Sequence, residues 1–159
     1  MQRRELFSSL ASHLKTKPEL LIRPPYNNNE SLFHNECRSC DAKCATVCEE
    51  DIIKIAKDKT PFLDFSSSGC SYCDACANAC EYGVLELENK KLINASVTIN
   101  KNECISWDGV MCFSCQDPCL ENAIDFQAMF MPTINDRCTA CGFCISRCPV
   151  SAIKIKDVS

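Results

Sequence analysis

The sequence has few of the residues on which nucleotide-binding and catalytic sites commonly depend. Among its 159 residues are 4 glycines and 2 histidines. All four glycines lie inside or beside cysteine loops: Gly69, Gly83, Gly109 and Gly142. No glycine-rich loop is left to hold a phosphate, a flavin or a nicotinamide, and His13 and His34 lie outside any nucleophile motif. We therefore expect no catalytic residue and no enzyme activity, and we expect His34 to face solvent.

Long apolar runs and a basic surface are also missing. No stretch approaches the roughly 18 consecutive apolar residues that a membrane span needs. The formal net charge is −4, with no cluster of lysine and arginine, which argues against a nucleic-acid partner. Behind Arg3-Arg4 the apolar positions fall at helical spacing, without the sustained apolar segment of an export signal. We therefore predict a short amphipathic helix there and a protein of the reducing cytoplasm.

Cysteine, in contrast, is abundant, with 16 residues that form four sets. The first cysteines of the sets are Cys37, Cys70, Cys104 and Cys138, at intervals of 33, 34 and 34 residues. After each last cysteine comes the same apolar pattern, in the sequences CEEDIIKI, CEYGVLEL, CLENAIDF and CPVSAIKI. Such a fourfold periodicity is typical of a chain built from repeated units.

Each repeat is predicted to contain a ligand loop, a helical turn, a strand, a turn and a second strand. Brief apolar runs after a tight loop favour strands. We expect the first strands at residues 52–55, 84–87, 123–126 and 152–155. We expect second strands at Pro61–Phe65 and Ser96–Ile99, and one helical turn before each last cysteine, at residues 45–47, 77–79, 116–118 and 145–147.

The spacing within the sets predicts iron–sulfur clusters. The second and fourth sets have the C-x2-C-x2-C-x3-C run of bacterial ferredoxins, and Pro149 follows the last cysteine of the chain. Three closely spaced cysteines can wrap three irons of a cubane, while the fourth points to a second cluster. Zinc ribbons, the alternative that remains, use separated C-x2-C pairs, and disulfide frameworks belong to secreted chains.

The predicted cofactor is four 4Fe–4S clusters, and the predicted ligands are all sixteen cysteines. They are Cys37, Cys40, Cys44 and Cys48 in the first set, Cys70, Cys73, Cys76 and Cys80 in the second, Cys104, Cys112, Cys115 and Cys119 in the third, and Cys138, Cys141, Cys144 and Cys148 in the fourth. With four thiolates for each cluster, no iron is left open to a substrate. The chemistry that remains is one-electron transfer.

The predicted fold is α+β, with tandem bacterial-type 4Fe–4S ferredoxin repeats arranged as two units of two. The expected divisions are residues 1–30 for the N-terminal helix and a linker, 31–95 for the first two repeats and 96–159 for the third and fourth. The linker is expected at Arg23–Pro25 and Asn27–Asn29. A repeat of about 34 residues is too small to be stable alone, so metal is expected to be part of the fold.

Two sets depart from the regular spacing. The first has one extra residue between Cys40 and Cys44, and the third has seven residues between Cys104 and Cys112, including Trp107. Loop shape and hydrogen bonds to the sulfurs tune reduction potential. We therefore expect at least two distinct potentials, and we expect Trp107 to cover the third cluster from solvent.

The sequence leaves open which cysteines share a cluster. If adjacent sets pair, Cys80 completes the cluster of the first set and Cys48 that of the second, and likewise Cys148 and Cys119 exchange between the third and fourth. In the four-cluster subunits of molybdenum oxidoreductases the pairs nest instead, first with fourth and second with third. We favour adjacent pairing because it closes shorter loops.

Four segments are distinctive: Arg3-Arg4, residues 22–26 (IRPPY), the seven-residue gap with the following CQDPC at 115–119, and CPVSAI at 148–153. In these segments the chain resembles the NapF family, ferredoxin-type proteins of the periplasmic nitrate reductase system of bacteria. The resemblance implies a cytoplasmic protein that contacts the catalytic molybdenum subunit before export and helps it mature, by supplying electrons or assisting that subunit's own cluster. The alternative is a general electron-transfer ferredoxin or a redox-enzyme subunit with another partner.

Overall fold

Short helices and two-stranded sheets carry the cysteine loops in the computed structural model, which describes residues 21–158. The helices are α1 (Ser31–Glu36), α2 (Lys43–Thr46), α3 (Ala75–Asn78) and α4 (Phe143–Arg147). The strands are β1 (Ile53–Ile55), β2 (Pro61–Leu63), β3 (Ala95–Ile99), β4 (Ile124–Gln127), β5 (Phe130–Ile134) and β6 (Ile153–Asp157). The expected N-terminal helix, with Arg3, Arg4 and His13, lies outside the described residues. Within 21–158, no helix has the length and apolar character to cross a membrane.

The strands pair as three antiparallel ribbons, so the chain is a small α+β protein. β1 pairs with β2, with Ile53 opposite Leu63, and β4 pairs with β5, with Ile124 opposite Ile134. β3 and β6 pair although they are far apart in sequence, with Ile99 opposite Ile153. The predicted strands after the first, third and fourth sets are thereby confirmed, and β2 ends two residues before its predicted end.

The predicted strand at residues 84–87 is wrong. Val84 and Leu85 are buried as expected, but the chain then turns into a short 3-10 helix, Leu87–Asn89. The segment that faces it contains Pro24 and Pro25, which have no N–H to donate to a ladder. The two segments are joined only by separate hydrogen bonds, such as Glu86 N–H to the Tyr26 carbonyl at 2.9 Å.

The predicted helical turn is an α-helix in three of the four sets. α2, α3 and α4 cover or overlap the expected residues. In the third set Gln116–Pro118 forms a hydrogen-bonded turn instead, in which the Gln116 N–H donates to the Phe113 carbonyl at 2.9 Å. Pro118 has no N–H to continue a helix there.

One backbone feature recurs behind all four sets. The residue three positions after the last cysteine has a positive φ each time: Asp51 (51°), Gly83 (64°), Asn122 (48°) and Ser151 (52°). For a residue other than glycine this conformation costs roughly 1–2 kcal/mol. The chain reverses at these positions and enters the apolar run that follows.

The first two sets and the last two share a hydrophobic core. Its buried residues are Ile52, Ile53, Leu63, Phe65 and Ile93 from the first half of the chain and Ala140 from the second. Ile145 of α4 and Ile155 of β6 pack against it. Two smaller cores lie within the halves, one around Tyr26 and Phe33 and one around Ile124 and Ile153.

The segment expected to be a linker includes residues that pack into the first half. Pro24, Pro25 and Tyr26 are fully buried, and Asn27 is 6% exposed. The Asn27 side-chain amide donates to the Val84 carbonyl at 2.6 Å. This segment therefore supplies part of the wall around the first cysteine sets rather than a flexible connection.

Candidate iron–sulfur centres

Four groups of four thiols surround four separate cavities. Site I has Cys37, Cys40, Cys44 and Cys80. Site II has Cys48, Cys70, Cys73 and Cys76. Site III has Cys104, Cys112, Cys115 and Cys148, and site IV has Cys119, Cys138, Cys141 and Cys144. All sixteen cysteines lie within residues 21–158, and none of them forms a disulfide.

The four cavities are similar in size. Counted together with the open solvent at their mouths, their volumes are about 330 Å³ at site I, 400 Å³ at site II, 340 Å³ at site III and 370 Å³ at site IV. Besides the thiols, apolar side chains make up much of each wall, such as Leu85 at site I and Ile134 at site IV. Each cavity is thus a thiol-lined pocket of nearly constant dimensions.

The thiols of each group also act on one another electrostatically. Burial, followed by Cys37, Cys40 and Cys80, raises the pKa of Cys44 to about 11. Burial, followed by the other thiols of site III, likewise raises the pKa of Cys115 to about 11. Negative charge on several thiolates in one cavity is unfavourable unless a cation compensates it. These pockets therefore favour a positively charged metal group.

The last cysteine of each set belongs to the cavity of the neighbouring set. α2 carries Cys44 of site I and is followed by Cys48 of site II, while α3 carries Cys76 of site II and is followed by Cys80 of site I. α2 and α3 pack against each other. The same exchange relates sites III and IV. The structure therefore has the adjacent grouping of cysteines and not the nested one.

The donor arrangement fits a cubane cluster. Among residues 21–158, no three His, Cys, Asp or Glu side chains converge on the position of a single ion. A cubane does not need such a point, because each of its four thiolates binds a different iron. A tetrahedral zinc site does. Cysteine sulfurs here also accept backbone N–H bonds, from Leu85 to Cys80 at 3.4 Å and from Ala152 to Cys148 at 3.2 Å.

The extra residue of the first set leaves the start of its helix unchanged. The residue before α2 is Ala42, with φ 56°, and it lies two positions before Cys44. The residue before α3 is Asp74, with φ 66°, and it lies two positions before Cys76. The insertion is therefore absorbed between Cys40 and Ala42, and the geometry of the last two cysteines is kept.

The expectation that Trp107 covers the third site is not met. The cavity of site III is lined by its neighbours Ile105 and Ser106, and not by Trp107. The indole N–H donates to the Pro132 carbonyl at 3.2 Å, and the Lys101 ammonium lies 4.3 Å from the ring centre. Trp107 therefore fixes the seven-residue insertion to β5 while its ring faces a surface lysine.

His34 faces solvent, as predicted. Its side chain is 48% exposed, and its Nδ1 lies 3.6 Å from a carboxylate oxygen of Asp58. Asp58 is in the turn between β1 and β2. His34 does not line the cavity of site I, so it is not placed as a ligand there.

Contacts between the second and fourth cysteine loops were not foreseen from the sequence. The Cys70 N–H donates to the Cys141 carbonyl at 2.7 Å. The Tyr72 hydroxyl donates to the Thr139 carbonyl at 2.6 Å and accepts from the Ile93 N–H at 3.1 Å. The one available signal was the presence of Gly69 and a second glycine, Gly142, inside these two loops.

Comparisons with known proteins identify a 4Fe–4S binding domain in the chain. The family model described as "4Fe-4S binding domain" matches residues 131–154, which include the cysteines of the fourth set. The ferredoxin-type protein NapF of Escherichia coli (strain K12) is 36% identical over 137 residues, covering 83% of this chain and 82% of that protein. The ferredoxin-type protein NapF of Haemophilus influenzae is 31% identical over 142 residues, covering 86% and 80%.

Proposed function

The chain belongs to the NapF family of ferredoxin-type proteins, and from this membership we propose a specific role for it. It holds four 4Fe–4S clusters in tandem ferredoxin-type repeats, one cluster in each of sites I to IV. It acts in the cytoplasm as an accessory to periplasmic nitrate reductase. Its client is the catalytic molybdenum subunit, which it meets before export and supplies with electrons or assists in acquiring its cluster.

The observation that carries the proposal of four clusters is the exchange of last cysteines between neighbouring sets. It gives each of four cavities four thiols, with no cysteine left over. The family match at residues 131–154 covers one set. The same combination of loop, left-handed residue and apolar run behind the other three sets supports extending the ligand assignment to all sixteen cysteines.

The bound clusters would supply reversible one-electron transfer. The protein holds each thiol at a fixed place, lines each site partly with apolar side chains and directs amide N–H groups at several of the sulfurs. Ala123 N–H, for example, donates to Cys119 Sγ at 3.3 Å. Such bonds stabilise negative charge on the thiolates and thereby raise the reduction potential.

The proposed client rests on the family and on the segments that resemble it. The segment at 22–26 is built into the wall of the first half, where Arg23 donates to the Pro61 carbonyl at 2.8 Å. The seven-residue insertion is fixed to β5 through Trp107. The first segment lines site II through Pro24, Pro25 and Tyr26, and the insertion lines site III through Ile105 and Ser106. Both segments therefore shape the surroundings of a proposed cluster.

Two measurements test the proposal, in order. The first is the iron and acid-labile sulfide content of anaerobically purified protein, which we expect to correspond to four clusters. The second is an anaerobic pull-down from cytoplasm with the loaded protein as bait, with protein stripped of iron as the matched control. We expect loaded bait to recover the catalytic subunit that still carries its export signal. Failure to recover that subunit, together with rapid electron transfer to a different purified reductase, would establish the general electron carrier instead.

A further inference from the structure

The two halves of the protein touch through the cysteine loops of sites II and IV. Gly69, which precedes Cys70, lies so close to the fourth loop that a Cβ there would be 2.5 Å from the Phe143 amide nitrogen and 2.7 Å from the Cys141 carbonyl. Gly142 is packed in the same way against the ring of Phe65. A Cβ at Gly69 would meet backbone atoms and push the two loops apart, whereas a Cβ at Gly142 would require the Phe65 ring to move.

A continuous bonded path joins ligands of the two sites at this junction. It runs from Cys70 Sγ through Cβ and Cα to the backbone nitrogen, and across the 2.7 Å hydrogen bond to the Cys141 carbonyl. From there it passes through the carbonyl carbon, Cα and Cβ to Cys141 Sγ.

Tyr72 adds a second contact between the same two loops. Its hydroxyl bridges the Thr139 carbonyl in the fourth loop and the Ile93 N–H, at 2.6 and 3.1 Å. Both of these contacts hold the second loop against elements beyond it. The junction is therefore fixed by one backbone hydrogen bond, one bridging hydroxyl and two close glycine contacts.

Within each half, the two sites approach each other through a different pair of cysteines. Cys44 of site I lies on α2 and Cys76 of site II lies on α3, and these two helices pack against each other. Both cysteines also pack against the core around Tyr26 and Phe33. In the second half, Cys144 of site IV packs against the core that contains Cys115 of site III. Sites I and II are thus neighbours, and so are sites III and IV.

We propose that the four sites form one linear relay in the order I, II, IV, III, with the Cys70–Cys141 junction as the step between the halves. This inference rests on the proposed function, because it requires clusters in the sites. With clusters bound, an electron would pass across this junction from the reduced to the oxidised member of the pair formed by sites II and IV, and no bond or proton would move. Sites I and III are the two ends, so the order in space differs from the order along the chain.

Gly69, Gly142 and Tyr72 are positioning residues in this relay. They bind no iron. Gly69 and Tyr72 set how closely the two loops approach, and Gly142 sets how closely the fourth loop approaches Phe65. Gly69→Ala would push the Cys70 amide away from the Cys141 carbonyl. Gly83→Ala is the matched control, because Gly83 lies in a cysteine loop of the first half, outside the junction. A side chain is tolerated at positive φ in the equivalent positions of the other sets, Asp51, Asn122 and Ser151. A Cβ at Gly83 would have only the Glu86 carboxylate within 4 Å.

The test is magnetic coupling between reduced clusters, measured by EPR on fully dithionite-reduced protein whose iron and sulfide have been counted. One double variant, Cys40→Ser with Cys112→Ser, removes the end sites I and III. The other, Cys73→Ser with Cys138→Ser, removes the central sites II and IV. We expect strongly broadened signals when II and IV remain, and narrow, uncoupled signals when I and III remain. In the full protein, Gly69→Ala should lose part of the coupling, and Gly83→Ala should keep it.

Several outcomes overturn the relay without touching the proposed function. The order is wrong if the protein holds four clusters but the variant that keeps only sites II and IV shows no coupling. It is also wrong if the variant that keeps only sites I and III shows the strong coupling instead. Equal magnetic coupling in Gly69→Ala and Gly83→Ala would show that the Cys70–Cys141 junction does not couple the two halves. Where a double variant does not fold, Tyr72→Phe in the full protein gives the same readout, and unchanged coupling there as well as in Gly69→Ala contradicts the proposal. An iron count far below four clusters contradicts the proposed function instead.

Discussion

The guanidinium of Arg23 lies 5.0 Å from the centre of the Phe33 ring. Its Nη1 donates to Thr60 Oγ1 at 2.9 Å and to the Pro61 carbonyl at 2.8 Å. The Arg23 side chain is only 16% exposed, so solvent screens its charge incompletely. Burial raises the pKa of Cys37 to about 11, with Cys40 and Cys80 adding to the rise, and Arg23 opposes it. A cation that opposes the rise in this way favours negative charge at site I.

Replacing Arg23 by glutamine should lower the reduction potential of site I. Reduction adds one negative charge to the site, and the variant lacks the cation that stabilises it. An EPR-monitored redox titration measures the potential of each site. Arg38→Gln is the control, because Arg38 follows Cys37 directly but is exposed, where solvent screens its charge. Equal shifts in the two variants would show that burial of the charge is irrelevant.

Replacing Tyr26 by phenylalanine should make the first half easier to unfold. The Tyr26 hydroxyl donates to Asp74 Oδ1 at 2.7 Å and accepts from the Asp74 N–H at 3.2 Å, at the start of α3. Loss of the Tyr26 hydroxyl should lower the free energy of unfolding by about 1 kcal/mol. The measurement is the guanidinium concentration at which the visible absorbance of the loaded protein bleaches under anaerobic conditions. Tyr82→Phe, at a tyrosine that is 44% exposed, should leave that concentration unchanged.

Replacing Cys80 by serine should damage site I and not site II. Cys80 belongs to the second set in sequence, but it lines the cavity of Cys37, Cys40 and Cys44. In redox titrations we expect Cys80→Ser to alter the same EPR signal as Cys40→Ser. Cys73→Ser should alter a different one. A Cys80→Ser spectrum that matches Cys73→Ser would contradict the exchange of last cysteines between sets.

Removing the iron should unfold the protein. Thiols line cavities between elements of only three to six residues, and units this small cannot bury enough apolar surface without metal. Far-ultraviolet circular dichroism before and after treatment with a chelator under oxidising conditions measures the loss of structure. Iron with sulfide should restore the spectrum, whereas zinc alone should not. Full recovery with zinc alone would favour structural zinc sites.

The cysteine spacing was enough to predict the 4Fe–4S binding domain that matches residues 131–154, because ligand loops are local in sequence. The strands after Cys48, Cys119 and Cys148 were predictable for the same reason, since each continues from its own loop. The prediction of a strand after Cys80 was wrong because the segment that faces it contains Pro24 and Pro25, which have no N–H to donate. The apolar pattern of residues 84–87 carries no information about that facing segment.

The contacts of Trp107 and Cys70 could not be predicted for a different reason. Trp107 sits in an insertion whose direction depends on β5, and its indole bonds a carbonyl 25 residues away. The Cys70–Cys141 hydrogen bond joins loops from opposite halves of the chain. Neither contact can be recognised from a periodic sequence pattern, because both depend on how distant elements pack in the folded protein. The division into residues 1–30, 31–95 and 96–159 stays a prediction.

The core shared by Phe65, Ile93 and Ala140 also has a consequence for dissecting the chain. A cut between residues 95 and 96 would separate Phe65 and Ile93 from the loop that covers them, and it would divide β3, Ala95–Ile99, at its first residue. Each fragment would present a water-exposed apolar face beside air-sensitive thiols. Neither half is therefore expected to fold independently. A two-cluster fragment made for laboratory use would need polar substitutions on the apolar face that the cut exposes.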